Sequence, residues 1–351
     1  MDNFAVRGLC AAPFTPFTQN GAVNHSAIPH HAAELLAQGV EYAFVCGTTG
    51  EGVTMSVQER QAVLESWISA AAGTALKVIA HVGAESIADV QALSKHAEQV
   101  GAVAVAAHSP TFNKPPDVDS LAEFLHIISV AAPTTPLYYY HISVKTGVNI
   151  ACDKLLAAIH GSGRAPTFRG IKFTDFDLYV YANCIAFAGG KYDVLSGAYM
   201  LNCVELNANL GAICMVQKTT VTFNTVANNS HPAGRDEVLL GALPMGCAGA
   251  VGSTYNYLGR VANKLIAAYR AGDMPGALKE QRRIQAVVDL LNNGAAYGPA
   301  GVNVGKAIME LRLETRGSDL CGPMRYPGRR VSEKGYAALR ADLEKLGFFQ
   351  W

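Results

Sequence analysis

The chain contains a lysine within an apolar segment that has the composition of a buried β-strand. Lys172 lies in Gly170–Asp175, which reads GIKFTD. A lysine in such a strand must lose its proton or find a partner, because burial disfavours the charged form. Lowering its pKa from about 10.4 to ~7 makes the neutral amine abundant at neutral pH. Lys172 is therefore a candidate amine nucleophile, and the alternative is a strand-end lysine whose ammonium extends to water.

Polar residues follow three other predicted strands. Thr48 and Thr49 belong to the glycine-rich segment Gly47–Gly52, whose hydroxyls and exposed N–H groups can hold a carboxylate, and the alternative is an ordinary glycine-rich turn. Tyr140, within the segment YYYH, can transfer protons near a neutral lysine or serve as a structural aromatic. The small residues of Gly252–Asn256 leave room for a ligand or form an ordinary turn.

The elements that must position these residues alternate between short β-branched or aromatic runs and amphipathic stretches, which indicates βα units and a parallel sheet. One helix candidate has its apolar residues at helical spacing from Ile87 to Val100. Eight strands predict a closed (β/α)₈ barrel, with an open doubly wound sheet as the alternative. The predicted strands are Gly8 to Phe14, Tyr42 to Cys46, Lys77 to His81, Ala102 to Ala107, Leu137 to Tyr140, Phe168 to Phe173, Asp193 to Ser196 and Gly249 to Gly252.

The strand pattern ends near residue 255, and the remaining sequence is helical. We therefore expect a barrel over residues 1–255 and a carboxyl-terminal helical extension over residues 256–351 that packs outside the barrel. The last predicted helix contains Tyr336, Leu339, Leu343 and Leu346, and Gly347 is the expected helix stop.

Charge and hydropathy exclude several classes of partner. Lysine plus arginine and aspartate plus glutamate number 28 each, so the sequence lacks the basic field of a nucleic-acid-binding protein and the cationic stripe of a membrane-surface protein. The sequence has no uncharged apolar run of about 18 residues, which argues against a membrane span. The expected partners are a small molecule and other copies of the chain.

The cysteines predict a reducing compartment. They are far apart, no C-x-x-C pair occurs, and no signal-peptide segment precedes them. We expect reduced thiols in a cytoplasmic protein. The eight cysteines are Cys10, Cys46, Cys152, Cys184, Cys203, Cys214, Cys247 and Cys321.

Together, these segments resemble the N-acetylneuraminate lyase family, within the class I pyruvate aldolases that include dihydrodipicolinate synthase. The resemblance covers nearly the whole chain outside one segment. The last two of its motifs are most similar to the animal-type sialate lyases. The motifs are GTTGE at Gly47–Glu51, Tyr140-His141-Ile142, GIKFTD at Gly170–Asp175 and GAVGSTYN at Gly249–Asn256.

The resemblance implies a Schiff-base mechanism for sialic acid breakdown. Lys172 would attack the C2 ketone of open-chain N-acetylneuraminate, and Tyr140 would mediate proton transfer as pyruvate and N-acetylmannosamine form. The implied fold is a (β/α)₈ barrel assembled as a homotetramer, with no metal and no dissociable cofactor. The implied substrate-binding residues are Thr48 and Thr49 for the pyruvyl carboxylate, and Thr174, Gly197, Asp236, Glu237 and Ser253 for the sugar chain.

The chain departs from the family pattern at three positions. Ser143 replaces a usual proline, which we expect to loosen a turn. Lys145 stands near the point where dihydrodipicolinate synthases commonly place a carboxylate-binding arginine, and this admits an acidic aldehyde substrate. Phe112 stands where bacterial relatives often have a tyrosine that reaches a neighbouring subunit.

Residues 198–234 form an atypical insertion where a short loop is expected after the seventh strand. Its only formal charges are Glu205 and Lys218, although 16% of the whole chain is charged. Without it, Gly197 would join Arg235 directly and the joined sequence would fit the family. The segment Thr219–Val226 is β-prone and nearly uncharged, which favours aggregation if it is exposed.

Three hypotheses account for the insertion: a retained intron or gene-model error, an active-site lid, and an inactive isoform. Sequencing of transcripts across the Gly197 and Arg235 codons tests the first, and deletion followed by kinetics tests the second. For the function, the sequence leaves three possibilities: N-acetylneuraminate cleavage, a related pyruvate-dependent aldolase or synthase that uses another aldehyde, and a catalytically silent barrel.

Overall fold

A computed structural model of the protein describes residues 4–175, 177–197, 235–247, 249–298, 301–314 and 321–351. The predicted insertion at 198–234, with its β-prone segment, lies outside the described residues. Gly197, Asp236 and Glu237, which flank it, are described.

Eight parallel strands close into a barrel, in which each strand pairs with the next along the chain and the eighth pairs with the first. This confirms the predicted (β/α)₈ barrel and contradicts the open-sheet alternative. The strands are β1 (Gly8–Ala11), β2 (Tyr42–Val45), β3 (Lys77–His81), β4 (Ala104–Ala107), β5 (Leu137–His141), β6 (Phe168–Phe173), β7 (Asp193–Gly197) and β8 (Gly249–Gly252).

The observed strand bounds follow the predicted runs closely, and β3, β6 and β8 have the predicted ends. The first strand was predicted to reach Phe14 but ends at Ala11. Pro13 lacks the N–H group that the ladder of hydrogen bonds requires, so the strand cannot continue through it.

Helices follow the strands and cover the outside of the barrel. The predicted helix from Ile87 to Val100 is confirmed as α3, with Val90, Leu93 and Ala97 buried. The helices are α1 (Ile28–Ala37), α2 (Val57–Ala71), α3 (Ile87–Gln99), α4 (Val118–Ala131), α5 (Ser143–Thr146), α6 (Cys152–Ser162), α7 (Leu178–Ala186), α8 (Leu239–Ala242), α9 (Tyr255–Arg270), α10 (Met274–Asn292), α11 (Gly294–Tyr297), α12 (Val302–Glu314) and α13 (Glu333–Leu346). Short 3₁₀ turns occur at His25–Ala27, Gly52–Thr54, Phe187–Gly189, Arg235–Val238, Leu243–Met245 and Phe348–Gln350.

The chain beyond β8 packs against the barrel through α9, which contacts both α1 and β1. The boundary expected at residue 255 falls on the first residue of α9. Because α9 follows β8 and packs on β1, it takes the place of the eighth barrel helix, and α10 to α13 follow it. Gly347 ends α13 with φ 73°, as predicted for the helix stop.

The barrel interior is filled by side chains that alternate along the strands. Tyr138 and Tyr140 on β5 belong to the interior cluster, whereas Tyr139 packs in the layer between the sheet and the helices. The interior cluster consists of Val6, Cys10, Tyr42, Phe44, Ile79, Ala104, Ala106, Tyr138, Tyr140, Ile142, Leu195 and Val251. Among the helices of the described ranges, none is both long and apolar enough to span a membrane.

Candidate active site

Lys172 lies on β6 with its side chain among the interior residues of the barrel, where it is 2% exposed. Burial lowers the pKa of Lys172 from 10.5 to about 7, although Cys10 and Asp236 act in the opposite direction. The alternative of an ammonium that reaches water is therefore wrong. A substantial fraction of Lys172 is a neutral amine at neutral pH, which is the form that attacks a carbonyl carbon.

Tyr140 is the direct neighbour of Lys172 across β5 and β6. The Nζ atom of Lys172 lies 3.5 Å from the centre of the Tyr140 ring and 5.4 Å from the centre of the Phe44 ring. Burial raises the pKa of the Tyr140 phenol above its usual value. Tyr140 is therefore protonated at neutral pH and can donate a proton to a bound oxyanion.

The loop after β2 brings Thr48 to the same place. Thr48 Oγ1 and the Tyr140 hydroxyl are hydrogen-bonded at 3.3 Å, and Thr49 is buried beside it in the chain. The loop turns tightly: a Cβ at Gly52 would overlap the Cys46 carbonyl, so glycine is required at this close approach. The glycine-rich loop thus holds a hydroxyl against the phenol of Tyr140.

Thr174 also contacts the amine, and Gly197 lies next to Thr174. Lys172 Nζ donates to Thr174 Oγ1 at 3.4 Å. A Cβ at Gly197, the last residue of β7, would overlap Thr174 Oγ1 and lie 3.0 Å from the Phe173 carbonyl oxygen. The absence of a side chain at Gly197 is therefore what allows the Thr174 hydroxyl to stand beside the amine.

Asp236 is buried in the 3₁₀ turn that precedes α8. Its Oδ2 atom accepts hydrogen bonds from the Thr254 N–H at 3.1 Å and the Thr254 hydroxyl at 2.6 Å. Burial raises the pKa of Asp236, and the Thr254 hydrogen bonds oppose that shift. A Cβ at Gly252 would collide with the Asp236 carboxylate, so the end of β8 is shaped to receive it.

Glu237 and Ser253 are buried next to these residues, at 8% and 2% exposure. Ser253 is held by Asn256, whose side chain donates to the Ser253 carbonyl at 2.7 Å. Within the described chain, neither the Ser253 nor the Thr49 side chain is hydrogen-bonded to Lys172 or Tyr140. The structure therefore joins Lys172, Tyr140, Thr48, Thr174 and Gly197 in one cluster and places the other candidates on adjoining loops.

The three departures from the family pattern also lie near the carboxyl ends of the strands. The Ser143 hydroxyl donates to the Asp175 carboxylate, which also lies 3.3 Å from His141 Nε2, so Ser143 ties the end of β5 to the end of β6. Ser143 therefore does more than loosen a turn. Lys145 is exposed on α5, and the Phe112 side chain is 87% exposed.

Sequence reasoning missed two residues that surround the amine. Phe44 packs edge-to-face on Tyr140 with ring centres 5.6 Å apart, and the buried Cys10 is close enough to influence the pKa of Lys172. Both residues belong to the interior cluster. The two-residue alternation of β1 and β2 was the signal that could have identified them.

The described residues include no cluster of three histidine, cysteine or acidic side chains that could hold a metal ion.

Comparison with known sequences places the chain in a family. The sequence profile of the dihydrodipicolinate synthetase family matches residues 5–232 and 228–346. The chain belongs to this family. Among curated members, the mouse N-acetylneuraminate lyase is 37% identical over 344 residues, covering 98% of this chain and 93% of the mouse protein. The human N-acetylneuraminate lyase is 37% identical over 347 residues, covering 99% and 94%.

Solved structures of the family have the same architecture. The N-acetylneuraminate lyase of Proteus mirabilis is 33% identical with a TM-score of 0.80, covering 98% of this chain and 99% of that protein. The sialic acid aldolase of Aliivibrio salmonicida is also 33% identical with a TM-score of 0.80, covering 98% and 97%. The family resemblance inferred from the motifs is thereby confirmed.

Proposed function

We propose that the protein is a Schiff-base aldolase that cleaves N-acetylneuraminate to N-acetylmannosamine and pyruvate. The observation that carries this proposal is the buried Lys172 amine, whose pKa is lowered to about 7 and which lies 3.5 Å from the Tyr140 ring. The 37% identity to the mouse and human N-acetylneuraminate lyases supports the same substrate.

In the proposed reaction, the neutral Lys172 amine attacks the C2 ketone of the open-chain sugar acid, and loss of water gives an iminium ion. The iminium accepts the electron pair of the C3–C4 bond as that bond breaks, leaving an enamine of pyruvate. The Tyr140 phenol relays the proton of the 4-hydroxyl to the substrate carboxylate as the aldehyde forms, and this proton later reaches C3 of the enamine. Protonation of the enamine at C3 and hydrolysis of the iminium release pyruvate and regenerate Lys172.

The adjoining residues are proposed to bind the two ends of the substrate. Thr48, Thr49 and the amides of their loop would hold the pyruvyl carboxylate. The hydrogen bond from Thr48 to Tyr140, the strand neighbour of Lys172, supports this by placing the loop next to the nucleophile. Thr174 and Ser253 would face the sugar chain. Gly197, Asp236 and Glu237 would form the loop that hydrogen-bonds the sugar hydroxyls.

Borohydride trapping tests this proposal. The full-length chain is incubated with pyruvate and sodium borohydride, and its intact mass is measured, with Lys172→Ala as the control. A pyruvyl adduct in the parent protein alone is the expected result. An adduct-free parent protein that is folded would contradict the proposal and favour the catalytically silent barrel.

A second candidate function is a pyruvate-dependent aldolase or synthase that uses a different aldehyde. Lys145 favours it, because it lies on α5 immediately beyond β5, where its side chain could bind a second carboxylate. Product analysis with several sugar acids and acidic aldehydes distinguishes the two functions.

We also propose that the protein is a homotetramer located in the cytoplasm. Native mass spectrometry of the purified chain tests the oligomeric state.

A further inference from the structure

Glu51 is the last residue of the GTTGE motif, and its backbone has an unusual conformation. Its φ is 55°, in the left-handed region that few residues other than glycine adopt. Its backbone N–H donates to the Thr48 carbonyl at 3.1 Å. The side chain is 3% exposed. A carboxylate in such a position needs partners that satisfy its charge.

The partners of Glu51 come from the carboxyl-terminal extension. Lys306 on α12 places its ammonium 2.7 Å from Glu51 Oε1, and the Arg325 backbone N–H donates to Oε2 at 3.0 Å. Lys306 is itself 2% exposed. Its ammonium also donates to the Thr15 carbonyl at 2.9 Å and to the Pro323 carbonyl at 3.2 Å. The extension therefore contacts both oxygens of Glu51, Oε1 through the ion pair with Lys306 and Oε2 through the Arg325 hydrogen bond.

We propose that Lys306 is a positioning residue for the loop Gly47–Gly52, acting through Glu51 to place Thr48 and Thr49 where they meet the carboxylate of pyruvate. This inference rests on the proposed function. The route is short: Lys306 binds the Glu51 carboxylate, the Glu51 N–H binds the Thr48 carbonyl, and the Thr48 hydroxyl binds the Tyr140 hydroxyl. The helical extension thus contributes to the shape of the carboxylate site without touching the substrate.

A positioning role and a merely stabilising role differ in what they do to substrate binding. Removing one partner of a buried ion pair destabilises a protein in either case. A displaced loop also weakens capture of the pyruvate carboxylate, since a small error in placement is costly to a preorganised site. The pyruvate concentration that gives half-maximal adduct therefore distinguishes the two roles, because only a positioning role predicts that it increases.

The same helix supplies a matched control. Arg312 on α12 is 5% exposed, and its Nε lies 3.5 Å from Glu34 Oε1 on α1. This pair also joins the extension to the barrel through a buried charge. Glu34 belongs to α1 and not to the glycine-rich loop. Arg312→Met therefore removes a comparable anchor at a different place.

The experiment measures adduct yield after borohydride trapping over a range of pyruvate concentrations, in the parent, Lys306→Met, Lys306→Arg and Arg312→Met proteins. Circular dichroism melting first identifies the temperature at which all four proteins are folded. We expect Lys306→Met to need about tenfold more pyruvate for half-maximal adduct and to reach the parent yield at saturation. Lys306→Arg should recover most of the loss, and Arg312→Met should shift the midpoint less than about twofold.

A parent-like midpoint in Lys306→Met, or an equal shift in Arg312→Met, would overturn the positioning role. An adduct-free parent protein would instead overturn the proposed function. If Lys306→Met gives no folded protein, Glu51→Gln takes its place. That variant keeps the shape of the side chain and removes the charge, so the same increase in midpoint is expected and the same parent-like result would overturn the inference.

Discussion

The Lys172 amine lies 3.5 Å from the centre of the Tyr140 ring, and the two residues are paired across adjacent strands. A ring face attracts an ammonium ion, yet burial favours the neutral amine. Burial has the larger effect, because the pKa of Lys172 falls to about 7. The Tyr140 hydroxyl is hydrogen-bonded to Thr48 at 3.3 Å. The ring of Tyr140 therefore packs against the nucleophile, while its hydroxyl is available for proton transfer.

The rate of adduct formation should rise with pH and level off above about pH 7. Only the neutral amine attacks a ketone, and Lys172 loses its proton with a pKa of about 7. Initial rates of trapping at subsaturating pyruvate from pH 5.5 to 9 would measure the midpoint. A rate that continues to increase tenfold per pH unit up to pH 9 would show that the lysine keeps an ordinary pKa.

Lys172→Met should increase the free energy of unfolding at neutral pH while abolishing the adduct. The native pKa of Lys172 is about 7 and the unfolded value is near 10.5, so the unfolded parent binds more protons between these values. Parent stability therefore rises with pH across this window. The advantage of the variant should be about 3 to 5 kcal/mol below pH 7 and should vanish near pH 10.5.

Urea unfolding at several pH values measures this difference. Lys95→Met is the control, because Lys95 is exposed on α3 and its replacement should change stability by less than about 0.5 kcal/mol at every pH. Equal free energies of unfolding for Lys172→Met and the parent at pH 7 would contradict the lowered pKa of Lys172.

Tyr140→Phe should lower the rate of N-acetylneuraminate cleavage by about 10² to 10⁴ and leave the pyruvate adduct detectable. The phenol transfers the proton of the 4-hydroxyl, whereas the amine that forms the adduct remains. Tyr138→Phe is the matched control. Tyr138 is also buried on β5, but its hydroxyl donates to Asp193 at 2.7 Å. We expect the control to lose about 1 to 2 kcal/mol of stability and little activity. Equal losses of cleavage rate in both variants would remove the special role of Tyr140.

Gly197→Ala should reduce kcat/KM by about ten- to a hundredfold. The added Cβ would overlap Thr174 Oγ1, which accepts a hydrogen bond from Lys172. Gly161→Ala on α6 is the control, since a Cβ there meets no atom within 4 Å. Steady-state kinetics with N-acetylneuraminate compares the two. A kcat/KM in Gly197→Ala equal to that of the parent would mean that displacement of Thr174 does not affect catalysis.

Lys145→Leu should change N-acetylneuraminate cleavage less than about twofold, because substitution of an exposed residue outside the Lys172 cluster has a small effect. The variant should lower the rate of condensation with pyruvate if the natural aldehyde carries its own carboxylate. Product analysis with acidic aldehydes as co-substrates of pyruvate would reveal this. Loss of condensation in Lys145→Leu, with sialic acid cleavage unaffected, would favour the second candidate function.

Local patterns predicted most of the fold, because strands buried on both faces give short apolar runs that are easy to recognise. Lys172 was identified for the same reason, as a charge inside such a run. The contacts of Lys306 with Glu51 and of Thr254 with Asp236 could not be predicted, since they join residues on different elements that are distant in sequence. The end of β1 at Ala11 follows from Pro13, which is a local signal in the sequence itself.

The pairing of β1 with β8 makes the barrel continuous, and it joins Gly8 to Gly249. Contacts between such distant parts of a chain form slowly, because the intervening loop must first lose its entropy. Thr48 on the loop after β2 and Lys172 on β6 share one interior only in the closed barrel. The capacity to form an imine is therefore a late reporter of refolding, and no isolated half of the barrel contains the whole reacting group.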